Sequence, residues 1–389
     1  MMGKRAEKIW IVAGEASGDL YGAELAKELM LARPGIDVAG MGGAAMKAAG
    51  VRIMVDSTEL GIVGIVEVLK KLPFFMGLLG KVTEMARAER PDAVVLIDYP
   101  GFNIRLAERL YEAGLRVVYY ISPQVWAWKK GRIPKIARNV DRMLCIFPFE
   151  PKVYGGTGLD AEFVGHPLLE ILKPYRERKD VERDGKLVLL LPGSRSSELN
   201  ALVKTMVNTA TLLLQRDSSL KFAMPLPRER TKELALSIMN GMDAPKATLE
   251  AIDVSVGNTR ELMTKASCGI AASGTVTVEA AILGLPLVVT YKVNWLSYQL
   301  AKRLVKLPYI TIANLVTGDC VYEELLQYDA VPEKLAPALE RILPGGERRK
   351  KVLAGISECV RLLGGESPVS RMVSEKVLEV AEREKNVTI

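Results

Sequence analysis

Two acidic residues stand where predicted β-strands end, Glu15 after "KIWIVAG" and Asp98 after "DAVVLI". Open α/β sheets present their chemistry at the carboxyl ends of strands, and a carboxylate there can accept the proton of a substrate hydroxyl. Asp98 is therefore the first candidate for a general base, and Glu15 is the second. The alternative for Asp98 is structural, because an aspartate at this point can cap the next helix or organise the turn at 99–101.

A second group of residues is suited to bind phosphate. In "LLPGSRSSE", Gly193 and Ser194 follow an apolar strand and precede a helix, so backbone N–H groups at the helix start can approach an anion. Arg195 adds a planar cation that fits phosphate oxygens. The alternative is an ordinary turn between strand and helix, which Ser196 or Ser197 caps and in which Arg195 is solvated.

The segment "SGTVTVEAAILGLP" repeats this plan later in the chain. Ser273, Gly274 and Thr275 end a strand and start a helix, and Glu279 follows one turn inside that helix. The Glu279 carboxylate could accept hydrogen bonds from two ribose hydroxyls, or it could simply stabilise the positive helix end while Thr275 or Thr277 caps the helix. Two such turns favour a nucleoside diphosphate, and the chain has no Walker lysine pattern that would indicate phosphoryl transfer.

Other motifs weigh against competing chemistries. His166 is the only histidine, so neither a Ser-His-Asp triad nor a multi-histidine metal site is expected, and it either lines the cleft or makes a local hydrogen bond. "GMGGAA" at 40–45 matches the dinucleotide fingerprint but does not follow the first strand, which favours a structural turn. The segment 119–132 places Trp126 and Trp128 beside three cations, an arrangement that suits sugars and phosphates or a core edge.

The elements that must position these residues follow an alternating pattern. Short apolar runs rich in β-branched residues alternate with longer helical patterns, which predicts a parallel α/β fold. The segments 8–25 and 186–203 share one plan of strand, small-residue loop and helix. We therefore expect two doubly wound domains, 1–172 and 186–389, with 172–186 as linker and the active site in a cleft between them.

Composition and net charge indicate which binding partners and which cellular compartment to expect. The 389 residues, 49% of them hydrophobic, suffice for two cores, and the net charge of +7 favours an acidic partner such as nucleic acid, a phosphorylated small molecule or an anionic membrane. The four cysteines include no CxxC pair, so we expect neither a disulfide framework nor a zinc site, and we expect a reducing cytoplasm. The first apolar run meets Glu15 and Asp19 too soon for a signal peptide.

The stretch "GIVGIVEVLKKLPFFMGLLGKV" at 61–82 is unusually apolar for such a chain. Glu67, Lys70 and Lys71 interrupt it, so it falls short of the roughly 20 apolar residues that a spanning helix needs. It could lie on an anionic membrane or line an acyl-chain groove, or it could be amphipathic because it packs on the sheet. The candidate membrane residues are apolar residues that recur at helical spacing, together with two phenylalanines: Ile65, Val66, Leu69, Leu72, Phe74, Phe75 and Met76.

Taken together, these motifs resemble the lipid-A-disaccharide synthase family. The resemblance rests on "VAGEASGDLYGAEL", "GIVGIVEVL", "DYPGFN", "YYISPQVWAWKKGR", "FPFE", "FVGHPL", "LLPGSRSSE", "SGTVTVEAA" and "AKRLVKLPYITIANL". It implies a GT-B architecture of two Rossmann-like domains that face each other across a cleft, the second holding most of the nucleotide. It also implies inverting transfer of 2,3-diacylglucosamine from UDP onto 2,3-diacylglucosamine 1-phosphate, with no metal and no cofactor.

The resemblance extends to single residues and to partners. It implies that Asp98 is a base, that Arg195 is essential and that Asn314 and Gln327 belong to the donor side. The sequence departs from the family's prolines in "ANLV" and "VYEELLQ", the segments that hold Asn314 and Gln327. The implied partners are acylated glucosamine substrates and the inner-membrane surface of a bacterium, without nucleic acid. Cytoplasmic, peripheral association with that membrane follows, and oligomerisation stays open.

Two rival hypotheses remain at this point. One is another GT-B enzyme that acts on a UDP-sugar, either a transferase or an epimerase, which would not need the apolar stretch at 61–82. The other is a membrane-docked binder of nucleotide sugars in which the altered donor-side loop has ended turnover. The resemblance also implies that the terminal helix often crosses back to the first domain.

Overall fold

The structure is a computed structural model in which two compact units are distinguished. It describes residues 6–57, 72–127, 129–178, 180–293, 298–299 and 307–383. The first unit comprises Met1–Glu170 and Glu366–Ile389, and the second comprises Ile171–Gly365. The terminal helix, Val369–Ala381, therefore belongs to the first unit; the sequence analysis drew the second domain as 186–389 and allowed for a terminal helix that crosses back to the first.

The first unit is built on a parallel sheet of seven strands. Its strands are β1 (Lys8–Ala13), β2 (Asp37–Gly42), β3 (Arg52–Asp56), β4 (Ala93–Ile97), β5 (Val117–Tyr120), β6 (Arg142–Cys145) and β7 (Asp160–Phe163). The helices described between them are α1 (Ala16–Ala32), α2 (Ala44–Ala48), α3 (Leu72–Glu89), α4 (Pro100–Glu112) and α5 (Ile133–Asn139), with 3₁₀ turns at Lys130–Arg132 and Pro151–Tyr154. The strand order is β3-β2-β1-β4-β5-β6-β7. The chain therefore adds β2 and β3 on one side of β1 and the later strands on its other side, so the order, but not the strand direction, reverses between β1 and β4.

Burial explains why these segments form strands. Every residue of β4 and β5 is buried, as expected of parallel strands that helices cover on both faces. Trp10, Val12 and Leu96 belong to the core beneath the helices. The terminal helix is tied to α1 by an ion pair in which Arg33 Nε lies 3.0 Å from Glu382 Oε1.

The second unit repeats the plan with six parallel strands. The short helices α6 (Leu168–Ile171) and α7 (Lys173–Arg176) lead into it. Its strands are β8 (Asp184–Leu191), β9 (Lys221–Leu226), β10 (Ile252–Val256), β11 (Ala266–Ala272), β12 (Leu287–Tyr291) and β13 (Glu323–Leu326). The helices described are α8 (Ser196–Arg216), α9 (Glu229–Asn240), α10 (Lys246–Glu250), α11 (Thr259–Lys265), α12 (Thr275–Ile282), α13 (Ile312–Thr317), α14 (Pro332–Glu340) and α15 (Arg349–Leu362).

The two sheets share one topology, and that topology locates the functional edge of each unit. The second sheet has the order β10-β9-β8-β11-β12-β13, which reverses between β8 and β11. Ligands of doubly wound sheets bind outside the carboxyl ends of the strands at such a reversal. The predicted parallel α/β class is confirmed, and in each unit the first and fourth strands flank the expected binding edge.

Candidate active site

Asp98 and Glu15 follow neighbouring strands at the reversal point of the first sheet. Strands β1 and β4 pair in parallel, with Ala13 opposite Ile97, so the residues that follow them leave the same edge. Glu15 is exposed at the start of α1, and Asp98 is partly buried just before α4. The structure thus places the two sequence-predicted base candidates side by side at the edge where chemistry is expected.

The turn that carries Asp98 is held in an unusual backbone conformation. Asp98 and Tyr99 both have φ of 46°, in the left-handed region that residues with a side chain seldom adopt. The Asp98 carbonyl accepts hydrogen bonds from Asn103 Nδ2 at 2.8 Å and from the Tyr119 hydroxyl at 2.7 Å. Asn103 also donates to the carbonyl of Ile97 at 3.1 Å. These contacts fix the backbone from which the carboxylate projects.

Burial and a neighbouring negative charge make Asp98 unusually basic. Burial, together with the charge of Glu15, raises the pKa of Asp98 to about 6, although the backbone N–H of Tyr99 opposes the rise. Burial and Glu15 also raise the pKa of the Tyr99 phenol. A carboxylate with this pKa is ionised at neutral pH and still accepts a proton more readily than an ordinary aspartate does.

Gly14 makes room for the aromatic ring beside the two carboxylates. A Cβ at position 14 would lie 2.3 Å from Cδ1 of Tyr99, closer than any real contact. The Tyr99 ring in turn lies against Phe102, with ring centroids 5.9 Å apart. A side chain at Gly14 would therefore displace the turn that presents Asp98.

Glu150 is a buried carboxyl group that the sequence analysis did not single out. It is fully buried and accepts hydrogen bonds from Trp126 Nε1 and from the backbone N–H groups of Ile146 and Phe147, all at 3.1 Å. Burial, with a smaller contribution from the Asp98 charge, raises its pKa to about 8 against the effect of these donors. Trp126 is therefore anchored at its indole nitrogen, and Trp128 lies outside the described residues.

His166 has a local role. Its Nδ1 accepts the backbone N–H of Leu168 at 3.2 Å, and burial lowers the pKa of the imidazole to about 3. The ring packs against Phe147 with centroids 5.5 Å apart. Of the two roles considered from the sequence, the structure supports the local hydrogen bond.

The glycine-rich segment 40–45 has a structural role, since it ends β2 and enters α2 through a turn at Gly43. The Asp19 carboxylate accepts the backbone N–H groups of Gly43 at 2.6 Å, Ala45 at 2.9 Å and Met46 at 3.1 Å. An acidic side chain of the protein therefore occupies the start of α2, where a dinucleotide would bring its pyrophosphate.

The first phosphate-binding turn predicted for the second unit is organised by Glu198. The Glu198 carboxylate accepts the backbone N–H groups of Ser194 at 2.9 Å and Arg195 at 3.1 Å, and it contacts Arg195 Nη1 at 3.2 Å. Gly193 has φ of 108°, and a Cβ there would lie 2.2 Å from Glu198 Oε2. Glu198, rather than Ser196 or Ser197, thus caps α8, while the Arg195 side chain stays 77% exposed.

The second turn lies beside the first. Strands β8 and β11 are neighbours, with Leu191 opposite Ala271, so Ser273, Gly274 and Thr275 leave the same edge as Arg195. Thr277 Oγ1 donates to the Gly274 carbonyl at 2.8 Å. The two turns that the sequence singled out are thereby brought together at one reversal point.

Glu279 has a partner that was not foreseen. Its Oε1 accepts two hydrogen bonds from Arg260, at 3.1 Å from Nε and 2.7 Å from Nη2. Within the described ranges no group donates to Glu279 Oε2, so one carboxylate oxygen stays available to a ligand. Arg260 thus adds a cation to this edge of the second unit.

Asn314 and Gln327 are used within the fold. Asn314 is fully buried, donates to the carbonyl of Tyr322 at 2.8 Å and accepts the N–H of the same residue at 2.8 Å. Gln327, whose φ is 52°, bonds both the N–H and the carbonyl of Val293, at 3.1 and 2.8 Å. The resemblance assigns both residues to the donor side, and their hydrogen bonds shape the 313–327 loop.

Glu324 closes that loop. Its carboxylate accepts the backbone N–H groups of Ile310 and Thr311 at the start of α13 and a hydrogen bond from Asn314 at 2.9 Å. Neighbouring Glu323 pairs with Arg341 and Arg348, each at 2.7 Å. The altered segment is therefore held by two half-buried carboxylates, one hydrogen-bonded and one paired with arginines.

The apolar stretch at 61–82 is described only from Leu72 onward. Ile65, Val66 and Leu69 lie outside the described residues, as does the side chain of Leu72. In α3, Phe74 is 54% and Met76 is 46% exposed, whereas Phe75 packs against the core. Of the candidate membrane residues whose side chains the structure describes, Phe74 and Met76 face water and Phe75 faces inward.

The described residues contain neither a cluster of metal ligands nor a membrane-spanning helix. No three or more histidine, cysteine, aspartate or glutamate side chains come together there as metal ligands. No helix in the same ranges is long and apolar enough to cross a bilayer.

Solved structures define the class to which this fold belongs. UDP-GlcNAc 2-epimerase of Neisseria meningitidis superposes with a TM-score of 0.67 at 12% identity and covers 96% of this chain and 100% of its own. A UDP-glucosyltransferase of Polygonum tinctorium superposes with a TM-score of 0.63 at 13% identity, with 99% and 100% covered. At these identities the likeness shows the fold alone, which is the GT-B arrangement of two Rossmann-like domains.

Sequence relatives place the chain more narrowly. The family model of lipid-A-disaccharide synthetase matches residues 9–372. The lipid-A-disaccharide synthases of Anaeromyxobacter dehalogenans strain 2CP-1 and Myxococcus xanthus are 40% and 37% identical, each over 96% of this chain and 97% of the relative. The chain belongs to the lipid-A-disaccharide synthase family, and it is a glycosyltransferase.

Proposed function

We propose that the chain joins UDP-2,3-diacylglucosamine to 2,3-diacylglucosamine 1-phosphate, with lipid A disaccharide 1-phosphate and UDP as products. The observation that carries this proposal at the site is the pair of Asp98 and Glu15 at the reversal point of the first sheet. Membership of the family supplies the reaction class, and the residues supply the roles.

Asp98 acts as the general base in this proposal. Its carboxylate takes the proton of the acceptor's 6-hydroxyl while the hydroxyl oxygen bonds to the anomeric carbon of the donor. The bond from that carbon to UDP breaks on the opposite face, so the configuration inverts. Glu15 raises the pKa of Asp98, which matches the base to a neutral operating pH. If Asp98 is not the base, Glu15 takes its place.

The second unit holds the departing nucleotide. Arg195 and the starts of α8 and α12 stabilise the charge that develops on the diphosphate, as preorganised donors do. Because Glu198 already uses the N–H groups of Ser194 and Arg195, the Arg195 guanidinium supplies the main contact from that turn. Ser273, Gly274 and Thr275 supply the second turn.

Glu279 holds the ribose, with Arg260 as its support. The oxygen of Glu279 that Arg260 does not occupy is free to accept a ribose hydroxyl. The ion pair holds the carboxylate in place for that contact. Asn314 and Gln327 support nucleotide binding indirectly, because their hydrogen bonds shape the loop beside the donor.

The substrates suggest where the enzyme works. Both carry acyl chains, and the exposed Phe74 and Met76 of α3, with Lys81 nearby, would let the first unit rest on an anionic membrane. We therefore place the enzyme at the cytoplasmic surface of the inner membrane as a peripheral protein. The reaction as written uses no cofactor, since the UDP-sugar is a substrate.

The proposal is tested with purified protein in mild detergent. The two substrates are incubated with wild type, Asp98→Asn and Arg195→Ala, and disaccharide and UDP are followed by mass spectrometry. The expected result is disaccharide with stoichiometric UDP from wild type and at least roughly a hundredfold less from Asp98→Asn.

A control separates lost chemistry from lost binding. Asp98→Asn should still bind UDP with the affinity of wild type, because Asp98 lies in the first unit, whereas Arg195→Ala should bind UDP more weakly. Wild-type protein that binds UDP but forms no disaccharide would overturn the proposed reaction.

A further inference from the structure

Glu198 places a nearly buried carboxylate at the edge of the second unit that is proposed to bind the diphosphate. Its Oε2 accepts the backbone N–H groups of Ser194 at 2.9 Å and Arg195 at 3.1 Å, and its Oε1 lies 3.2 Å from Arg195 Nη1. The Glu198 side chain is only 10% exposed. The carboxylate therefore occupies the start of α8, where a phosphate group would otherwise receive the same hydrogen bonds.

The backbone around this carboxylate is shaped to accept it. Gly193 has φ of 108°, and a Cβ at this position would lie 2.2 Å from Glu198 Oε2. Any side chain at position 193 would therefore push the carboxylate away from the two N–H groups. By contrast, the first turn of α12, which starts at the neighbouring strand end, contains no acidic residue. Of the two turns proposed to hold the diphosphate, the one at α8 thus carries a fixed negative charge.

Arg195 is shared between Glu198 and any anion that binds at this edge. Its side chain is 77% exposed, although one guanidinium nitrogen contacts Glu198. Within the described ranges Arg195 is the only cation that pairs with Glu198, so the carboxylate competes with the diphosphate for the same guanidinium. So exposed an arginine gains little order from an ion pair, whereas a buried carboxylate repels a nearby anion through a medium of low dielectric constant. We therefore expect the repulsion to outweigh any help in placing Arg195.

The donor and the product differ in the charge that Glu198 would meet. In UDP-2,3-diacylglucosamine both phosphates are esterified, and each carries a single negative charge. UDP ends in a free phosphate, whose second pKa of about 6 gives it nearly one further negative charge at neutral pH. A fixed carboxylate beside the diphosphate therefore repels the product more strongly than it repels the donor.

We propose that Glu198 sets the ratio of the affinities for donor and product, because it weakens the binding of UDP more than that of the UDP-sugar and so promotes release of UDP after transfer. The inference rests on the proposed function, since donor and product are taken from it. Glu198 acts through its charge and through Arg195, and it touches no reacting atom. The affinity for the acceptor does not depend on it.

The test measures equilibrium binding of UDP and of UDP-2,3-diacylglucosamine near neutral pH, in neutral detergent micelles and without acceptor. Glu198→Gln keeps a side-chain oxygen for the backbone N–H groups but removes the charge. It should bind UDP roughly tenfold more tightly than wild type does, and the gain for the donor should be smaller. The ratio of the two dissociation constants should shift by at least roughly threefold in favour of UDP.

Two further variants separate charge from an effect on the turn. Glu198→Asp keeps the charge with a shorter side chain, so it should keep the wild-type ratio even if both affinities change. Glu233→Gln removes an exposed carboxylate of α9 and should bind both ligands as wild type does. In turnover, UDP should inhibit Glu198→Gln at a lower concentration than wild type, by about the factor seen in binding.

Weaker UDP binding by Glu198→Gln, or equal changes for UDP and the donor, would overturn the inference and leave Glu198 as a support of the turn alone. A shift of the ratio in Glu198→Asp as large as that in Glu198→Gln would overturn it too, as would wild type that does not bind UDP. Because binding is measured without acceptor, it is independent of the proposed reaction. If wild type forms no disaccharide but Glu198→Gln shifts the ratio as stated, the reaction fails and the inference stands.

Discussion

At the scale of single residues, the account depends on how Asp98 is held. Its backbone lies in the left-handed region and its carbonyl is fixed by Asn103 and Tyr119, so the carboxylate has a defined place beside Glu15. Burial and the Glu15 charge raise its pKa to about 6. Such strain and such a shift are typical of functional sites, and both reduce the stability of the folded protein.

The raised pKa of Asp98 predicts that the stability of the folded protein depends on pH. The folded state holds the Asp98 proton more tightly than the unfolded state does, so wild type loses stability as pH rises from about 4 to about 6. Asp98→Asn lacks this loss and should be more stable than wild type at pH 8 by up to about 3 kcal/mol. Denaturant unfolding across this pH range measures the difference.

The pH dependence distinguishes this cause from others. The advantage of Asp98→Asn should shrink as the pH is lowered from 6 and should disappear below about 4, where the wild-type carboxyl is protonated in both states. Glu112→Gln, at an exposed carboxylate, should show no comparable trend. An advantage of equal size at every pH would show that ionisation of Asp98 is not its source.

At the scale of secondary-structure elements, Glu150 joins the tryptophan segment to the turn after β6. It receives three hydrogen bonds, one from the Trp126 indole and two from the backbone of Ile146 and Phe147. Removing the carboxyl group leaves these donors buried without an acceptor, which is costly.

Glu150→Ala should therefore destabilise the first unit by about 2–5 kcal/mol. Glu150→Gln keeps one acceptor oxygen and should cost less. Denaturant unfolding, followed by circular dichroism, measures both. A change within about 0.5 kcal/mol for the alanine variant, the size of an ordinary surface effect, would contradict this role.

A second prediction at this scale concerns the turn after β4, which carries Asp98. Gly14→Ala would place a Cβ against the Tyr99 ring and displace the turn that carries Asp98. We expect kcat to fall by roughly tenfold or more, because small misplacements of a base are costly. Gly77→Ala, where a Cβ meets no atom within 4 Å, is the control and should keep wild-type kcat. Equal kcat in both variants would show that the ring does not control the turn.

Sequence patterns were sufficient for the elements and for the residues at strand ends. Alternating strands and helices predicted the parallel sheets, and the strand-end rule located Asp98, Glu15 and the two turns of the second unit. Asn103 stood in the motif "DYPGFN", five residues after Asp98, and this spacing was a usable signal. Arg260 and Glu150 form hydrogen bonds with residues about 20 positions away in the sequence, Glu279 and Trp126. No local spacing indicates such contacts, so both residues were missed.

Local sequence patterns also could not show which polar groups already form hydrogen bonds within the protein. Glu198 takes the N–H groups at the start of α8, where the sequence suggested only a serine cap or an open anion site. The resemblance assigns Asn314 and Gln327 to the donor side, but it did not show that their amides bond the backbone of Tyr322 and Val293. Such pairing depends on tertiary structure, which residue type and spacing do not encode.

At the scale of the whole molecule, charge and exposed apolar residues favour a membrane surface. The chain carries a net charge of +7, and α3 exposes Phe74 and Met76 on the unit that is proposed to take the acylated acceptor. Apolar side chains that enter the headgroup region and cations that attract anionic lipids act together in peripheral binding. These two observations give the proposed membrane contact a defined location.

Replacing both exposed residues, Phe74→Ser with Met76→Ser, should weaken binding to phosphatidylglycerol vesicles by roughly tenfold or more. Co-sedimentation measures it. Leu31→Ser is the matched control, because Leu31 is 73% exposed on the same unit but lies on α1. Loss of binding in the control, or none in the double variant, would contradict a membrane contact at α3.

The most direct test of the central claim, that Asp98 is the base whose pKa Glu15 raises, is the pH dependence of disaccharide formation. We predict that kcat/KM of wild type rises with pH through about 6 and that Glu15→Gln stays active, with this rise moved to lower pH. Asp98→Asn should lose activity at every pH. An inactive Glu15→Gln beside an active Asp98→Asn would make Glu15 the base and contradict the account.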